Sequence, residues 1–262
     1  MREDWVECKL EDIGLIYSGG TPKTNILEYW GNDISWISPS DLSKYENVYI
    51  ERGAKSITKL GLEKSSAQLF PAGTVLFSSR APIGYTVIAK NEMTTNQGFK
   101  SVQPLGGIDS KYVYYNLKFS KNKAESVATG TTFKEISKVQ FSNLNFPLPP
   151  LPEQRAIIKK IEALFSSLDA GISDLKKAQE QLKIYRQAVL KKAFEGIETE
   201  KSLGEIKVDS MIGLVKSNAE QFETGLTPYI KMNNITMDGK TDIVNTVFVE
   251  ATEEEEKKNT IF

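Results

Sequence analysis

The 262-residue chain contains no histidine and a single cysteine. The first absence removes Ser-His-Asp and Cys-His arrangements, taking away the commonest general base and the commonest metal ligand together. The second excludes an intrachain disulfide and any zinc site built on clustered cysteines. Cys8 itself reads as a small, half-buried residue of a first strand. No apolar run approaches the roughly 20 residues of a membrane helix, and the opening MREDWVECKLED carries acids where a signal peptide needs an apolar stretch. The expected location is the cytoplasm, with no membrane partner. Also absent are a P-loop, a GxSxG nucleophile elbow and the Asn-Pro-Pro-aromatic tetrad of amino-methyltransferases. The acidic run Glu253 to Glu256 reads as a solvated helix start. These gaps favour a binding module over a catalyst, with no catalytic residue and no metal ligand expected.

The charges that are present are unevenly placed. Residues 80–151 hold nine basic and four acidic residues and 152–195 hold nine and six, whereas 1–79 and 196–262 are both net acidic. A basic middle between acidic ends suits a chain that presents one face to a polyanion. A chance fluctuation on a solvated surface is the alternative on charge alone.

From Lys9 to about Pro147 the text is strand-like and turn-rich: DISWIS, NVYIERGA, GTVLFSS and YTVIA alternate with Gly, Pro, Asn and Ser. One helix is expected from about Asp109 to Ala128, with Asp109 as N-cap and Val113, Tyr114 and Leu117 facing inward. The pattern is an α+β domain over residues 1–151. Four prolines between Pro147 and Pro152 then form a stiff joint. Beyond it Ile161, Leu168, Leu175, Leu182 and Val189 recur every seven residues, with Leu164, Gly171, Ala178, Tyr185 and Lys192 between them. That heptad predicts a coiled-coil-like helix over 152–196, opened by Pro152 and stopped by Gly196. The small Gly171 and Ala178 would admit a second helix closely.

After the helix, KLEDI (Lys9 to Ile13) is echoed by SLGEI (Ser202 to Ile206), and ISWISPSDLS (Ile34 to Ser43) by TPYIKMNNIT (Thr227 to Thr236), both at an offset of 193 residues. Residues 197–262 are therefore expected to form the N-terminal fragment of a second copy of the first domain.

Four loops combine small, polar and cationic residues. SGGTPKTN offers Thr21 and Lys23 after two glycines, and SSRAPIG sets Arg80 beside Ser79. TTNQGFK joins Asn96 and Gln97, amides suited to adenine edges, with Lys100; ATGTTFKE adds Thr131, Thr132 and Lys134. Ser40 joins them as a polar candidate. Each loop has a plainer reading: Gly-Gly-Thr-Pro as an ordinary turn, Asn96-Gln97-Gly98 as a turn capped by its own amides, Arg80 in a structural ion pair, Trp30 and Trp36 as core.

In combination these stretches resemble the specificity (S) subunits of type I restriction-modification systems. SGGTPKT, YWGNDISWISPSDL, FPAGTVLFSSRAPIG, TTNQGF, TGTTFKEIS and the junction PLPPLPEQRAI stand in that family's order, closely over about residues 5–196 and loosely beyond. The resemblance implies a non-catalytic subunit whose target-recognition domain reads half of a bipartite double-stranded DNA site. It also implies helices that dock modification (methyltransferase) subunits, with S-adenosylmethionine, ATP and magnesium held by the partner modification and restriction subunits and no cofactor here. In such proteins two recognition domains sit at opposite ends of an antiparallel helix pair, whose length sets the half-site gap.

The chain departs from that pattern by ending at Phe262, which implies truncation within the second recognition domain. One expectation is that two copies pair antiparallel through Ile161, Leu164, Leu168, Leu175, Leu182 and Val189; the competing one is a silent cassette product. The outer helix residues Arg155, Lys159, Lys183 and Arg186 are candidates for the methyltransferase interface, or simply a solvated face. Against the DNA-reading hypothesis stand a structural module that assembles through its helix without binding DNA alone, and a self-contained nuclease or methyltransferase.

Overall fold

The computed structural model describes residues 5–80, 82–130, 134–196, 201–207, 213–236, 239–241, 243–244 and 246–259. The chain divides into two compact units, Met1–Lys183 and Ile184–Phe262.

In the first unit ten strands and the first six helices follow one another as β1 (Val6–Lys9), α1 (Leu10–Ile13), β2 (Gly14–Ser18), β3 (Trp30–Ile37), β4 (Tyr49–Ile50), β5 (Lys55–Ile57), α2 (Lys59–Glu63), β6 (Val75–Ser78), β7 (Thr86–Ala89), β8 (Met93–Thr95), β9 (Phe99–Pro104), α3 (Ser110–Phe119), α4 (Lys121–Val127), α5 (Lys138–Ser142), β10 (Asn145–Leu148) and α6 (Leu151–Ala193), whose residues from Ile184 on belong to the second unit. A five-stranded sheet runs β2-β9-β6-β7-β4, a three-stranded sheet β5-β3-β8, and β1 pairs with β10 alone. Each of the four β-branched runs of the sequence contributes a strand, NVYIERGA only the two residues of β4, and the class is α+β.

The central sheet is covered on both faces, and the two-residue alternation of its strands sorts the core. Val75, Phe77, Ile88 and Val102 point to one side, where Val113, Tyr114 and Leu117 of α3 and Phe141 of α5 pack. Leu76, Val87, Ala89 and Phe99 point to the other, against Ile37, Leu42 and Phe70. Burial on both faces explains why VLFS and TVIA lack polar alternation.

The helix expected from Asp109 to Ala128 is two helices. Asp109 does cap the first, its Oδ1 accepting from Lys111 N at 2.9 Å, and Val113, Tyr114 and Leu117 are buried. At Ser120 the backbone turns out of helical geometry (φ −80°, ψ 4°), closing α3 through bonds from its N–H to Asn116 O and Lys118 O. The new axis of α4 carries Ala124 into the core, fully buried.

Cys8 lies in β1, half-buried, its thiol donating to Phe146 O at 3.3 Å across the β1–β10 ladder, and burial pushes that thiol up from its ordinary value. The ladder pairs Val6 with Leu148 and Glu7 with Pro147, so the first strand grips the strand that leads into the proline joint. Tyr112 tightens the same place by donating its hydroxyl to Pro147 O at 2.8 Å.

The 43 residues of α6 span about 65 Å at 1.5 Å per residue. Pro152 is its second residue, and Gly196 beyond its end takes a left-handed φ of +84°, the expected stop. Its first turns are bolted to the domain. Trp5 Nε1 donates to Glu153 Oε2 at 3.0 Å, Lys111 Nζ meets Glu162 Oε1 at 2.6 Å, and Ile158 is buried in the core. Tyr115 meets Phe165 with ring centroids 6.3 Å apart.

The second unit carries α7 (Leu203–Ile206), strands β11 (Gln221–Phe222), β12 (Thr227–Tyr229) and β13 (Val247–Val249) in the order β11-β13-β12, and α8 (Glu253–Asn259). Local contacts of the first unit have counterparts here. Trp36 Nε1 donates to Gly20 O at 2.9 Å, and Tyr229 Oη, 193 residues on, to Leu214 O at 2.8 Å. Ser38 N donates to Asp41 Oδ2 at 2.8 Å, and Lys231 N to Asn234 Oδ1 at 2.9 Å. Thr58 caps α2 through Gly61 N, and Thr252 caps α8 through Glu255 N. Among the described residues no helix is long and apolar enough to cross a membrane.

Candidate nucleic-acid interface

Two regions carry the candidate residues: a loop cluster at the ends of β3, β6, β8 and β9, and the exposed stretch of α6.

The loop cluster is built on turns that need close backbone approach. A Cβ on Gly19 would sit 1.7 Å from Asn96 O, and one on Gly20 would sit 2.3 Å from Ala67 N, so SGGTP is a packed turn rather than an open phosphate cradle. The turn places Thr21 against Gln97, Oγ1 donating to Oε1. Gln97 is exposed, whereas Asn96 turns its Oδ1 onto its own loop, accepting from Gly98 N at 2.9 Å. Asn96 is thereby committed to an Asx-type turn, the plainer of its two readings. Ser40 is exposed and shares a hydroxyl contact of 2.8 Å with Ser38, and Lys23 and Lys134 are exposed.

Glu135 organises the remaining cations. Its Oε2 lies 3.2 Å from Arg80 NH1 and its Oε1 3.6 Å from Lys100 Nζ. Lys100 Nζ also donates to Ser79 Oγ at 3.4 Å, and the backbone of Ser79 is held by Gly98 O at 2.7 Å and by Ile136 N at 3.0 Å. The TTNQGFK, SSRAPIG and TGTTFKE loops are thus cross-bolted around one carboxylate. Ser79 is fully buried and Lys100 is 7% exposed, so both lie inside this bolt, while Arg80 and Gln97 reach the surface. Sequence patterning could not separate the inner cation from the outer one, because the distinction depends on loops brought together across 55 residues. Thr131 and Thr132 lie outside the described residues. Trp36 is core, as its plainer reading had it, and Trp30 is only half-buried.

Burial lowers the Lys100 pKa below the ordinary lysine value of 10.5, with Glu135 pulling the other way. The folded state therefore releases this proton before the unfolded chain does, and the contribution of this group to stability rises as the pH climbs toward 10.5. Replacing Lys100 by methionine is expected to change stability at pH 7 by no more than about 1 kcal/mol, since an apolar isostere removes the desolvation cost along with the ion pair. The variant should also lack the alkaline rise. Urea melts of both proteins at neutral and alkaline pH check this.

On α6 the exposed positions form a broad apolar face. Leu164, Phe165, Leu168, Ile172, Leu175 and Leu182 are 44–73% exposed, and Ile161 is half-buried. Val189, further along, is 47% exposed. Phe165 and Ile172 were missed in the sequence, where the intermediate heptad positions were placed three residues after each Ile/Leu. Counting four residues instead gives Ile158, Ile161, Phe165, Leu168, Ile172 and Leu175, an uninterrupted alternation of three and four. Because Ile158 is buried in the domain core, the same stripe first anchors the helix and then emerges from the domain. A Cβ on Gly171 would meet nothing within 4 Å, leaving that point of the face open. Arg155, Lys159, Lys183 and Arg186 are exposed.

Known proteins are similar to this chain. The type I restriction modification DNA specificity domain matches residues 2–181. The MjaIX type I restriction enzyme specificity subunit of Methanocaldococcus jannaschii is 37% identical over 263 residues, covering 89% of this chain and 58% of the relative. The EcoR124I/EcoR124II specificity subunit of Escherichia coli is 30% identical over 197 residues, covering 71% of this chain and 48% of the relative. Among solved structures, the HsdS subunit from Thermoanaerobacter tengcongensis superposes with a TM-score of 0.54 at 25% identity, over 75% of this chain and 46% of that one. The chain spans about half the length of the curated relatives it matches. The family match covers more than half of the chain, and the chain belongs to the type I restriction modification DNA specificity family.

Proposed function

We propose that this chain is the DNA-recognition component of a type I restriction-modification complex and performs no chemistry itself. Residues 1–151 read one half of a bipartite double-stranded site, residues 152–196 act as spacer and docking surface for modification subunits, and 197–262 begin a second recognition domain. The observation that carries this reading is mechanical: a loop-bearing domain is fastened to the foot of a long helix through Glu153, Ile158 and Glu162, as a reader that must hold its half-site at a set distance requires. Arg80, Gln97, Thr21, Lys23, Ser40 and Lys134 supply donors to DNA from the loop face, with Asn96, Ser79 and Lys100 holding that face in shape. The recurrence of the Trp36, Asp41 and Thr58 contacts at Tyr229, Asn234 and Thr252 supports the second copy. The uncovered stripe from Leu164 to Val189 supports pairing of two copies, antiparallel, so that each chain supplies one half-site reader. S-adenosylmethionine, ATP and magnesium belong, in this reading, to the modification and restriction partners.

The test is co-production with a modification subunit, followed by mapping of methylated DNA. A defined split motif with a fixed gap is expected. DNA affinity should also fall steeply with salt, with a slope near −0.9 for each phosphate neutralised. Absence of any sequence-defined methylation, or salt-independent binding, overturns the reading.

A further inference from the structure

The loop cluster at the C-terminal end of β3 accounts for the residues singled out by motif. On the β5 side of the same strand lies an open groove of about 410 Å³ lined by Thr24, Leu27, Trp30, Asn32, Arg52 and Lys55. Its two cations, Arg52 and Lys55, lie in none of the family-like motifs, whereas Thr24 and Asn32 stand in SGGTPKT and YWGNDISWISPSDL. They converge because β3, antiparallel to β5, bulges between Trp30 and Ile34, both opposite Ile57, which folds Trp30 back beside Trp36 and the Lys55 that faces Trp36.

The chemistry of the groove is specific. Its floor is a fixed aromatic: Trp30 Nε1 donates to Lys23 O at 3.3 Å, and its ring stands edge-on to buried Trp36, centroids 5.2 Å apart at 85°. Lys55 Nζ lies 5.5 Å from the centre of the Trp30 ring, which holds an otherwise floppy ammonium in one place. Arg52 NH2 donates to Asn32 Oδ1 at 3.0 Å, which orients the guanidinium and leaves its other donors free. Among the described residues no carboxylate is paired with Arg52 or Lys55, and the nearby acids are engaged elsewhere. Glu51 pairs with Lys90, and Asp33 accepts from Lys59 N at 3.1 Å. Leu27, 84% exposed, completes one wall with an apolar side chain that nothing in its own unit covers.

An oriented arginine beside an amide, next to a pinned lysine, in an open groove without free carboxylates, matches the pattern by which proteins read a guanine edge in the major groove. We propose that this groove is a base-reading site for the target half-site. Arg52 takes the guanine O6 and N7, Asn32 is its positioning residue, and Lys55 holds the neighbouring phosphate. The proposal rests on the DNA-recognition reading above and adds to it a place and a base. It also separates two tasks within the domain: the cross-bolted loops around Glu135 hold the duplex, and the groove beside the β3 bulge reads it.

The substitution that isolates base reading is Arg52→Lys, which keeps the charge and discards the bidentate fork. In complex with the modification subunit, R52K should methylate DNA with the wild-type spacing but lose the preference for guanine at one position, by about 10-fold to 100-fold. Asn32→Ala, which leaves every charge in place, should weaken the preference at that same position. Lys55→Ala should retain the motif while reducing the salt slope of binding by about 0.9. If the wild-type complex methylates a defined motif and R52K and N32A methylate it with unchanged preference, the groove is not the reader. If R52K lowers affinity evenly for all sequences, Arg52 is a phosphate contact and the base assignment is wrong. If the wild-type complex methylates no motif at all, the broader recognition reading fails first.

Discussion

Replacing Leu168 and Leu175 together by glutamate is expected to convert a self-paired chain into a monomer. Both side chains are largely bare, at 58% and 73% exposure, and both lie at the centre of the stripe that runs from Leu164 to Leu182. In a symmetric antiparallel pair each leucine is buried twice, and burial of one leucine stabilises by about 1.5–3 kcal/mol. Losing four such contacts, and facing four carboxylates across a low-dielectric seam, should weaken association by at least about 100-fold. Light scattering at micromolar concentration reads the mass directly. Circular dichroism at the same concentration shows whether α6 remains helical when unpaired. The control is wild-type protein alone: if it is already monomeric without a modification subunit, the stripe is covered by another partner and self-pairing is wrong. A smaller substitution reports register. Gly171→Leu fills the open point of the face, and in a tightly packed pair it should cost more than it would on an isolated helix, where it gains about 1 kcal/mol of helix propensity.

The second large effect is expected at Gln154, which is 1% exposed and ties the loop before α3 to the proline joint at the foot of α6. Its Oε1 accepts from Asp109 N at 2.9 Å, at the N-cap of α3. Its Nε2 donates to Pro149 O at 2.9 Å and to Gly107 O at 3.4 Å. Replacing it by alanine strands a backbone N–H and weakens two carbonyls, each unmet buried group costing about 1–3 kcal/mol. A total loss of about 3 kcal/mol is expected, a fall in Tm of roughly 6–12 °C for a domain of this size. Gln154→Glu should be worse, because a carboxylate cannot donate to Pro149 O and would face it with negative charge. The effect extends to function: with these bonds gone, the helix foot keeps only its remaining anchors, among them Glu153, Ile158 and Glu162, and methylation mapping should show a broader tolerance of half-site spacing. Replacing Pro149, Pro150 and Pro152 by glycine should relax spacing less than Gln154→Ala does, since the prolines stiffen the joint while Gln154 ties it to the domain.

The sequence made the local features legible and hid the convergent ones. The heptad, Pro152 and Gly196 marked the helix and both its ends because caps and periodicity act within a few residues. Asp109 was legible as a cap for the same reason. The break at Ser120 was not, because helix propensity runs through KFSKNKAE without interruption and it is the burial of Ala124 that rotates the axis. In the loop cluster, residue types pointed to a polar, cationic face, yet they could not say that Glu135 would turn Lys100 inward and leave Arg80 at the edge. The groove of Arg52 and Lys55 was only partly traceable, since Thr24, Trp30 and Asn32 stand in motif stretches and its two cations in none. It exists because β3 and β5 run side by side, and cross-strand neighbours some 20 residues apart have no signature along the chain. The second seam position, at Phe165 and Ile172, was visible in principle, since a three-four alternation was there to be counted.

The pairing of β1 with β10 also imposes an order of events on synthesis. Cys8 meets Phe146 across 138 residues, so the first strand leaves the ribosome long before its partner exists. At translation speeds of about 5–20 residues per second, that strand waits roughly 7–28 s with its edge unsatisfied. The domain can close only when the proline joint is emerging, and α6 is made immediately afterwards. The apolar stripe therefore appears on a helix whose foot has just found a folded surface to stand on. Were β10 earlier in the chain, the domain would close sooner; were it later, a bare stripe and an open strand would be exposed together, the combination most prone to aggregate.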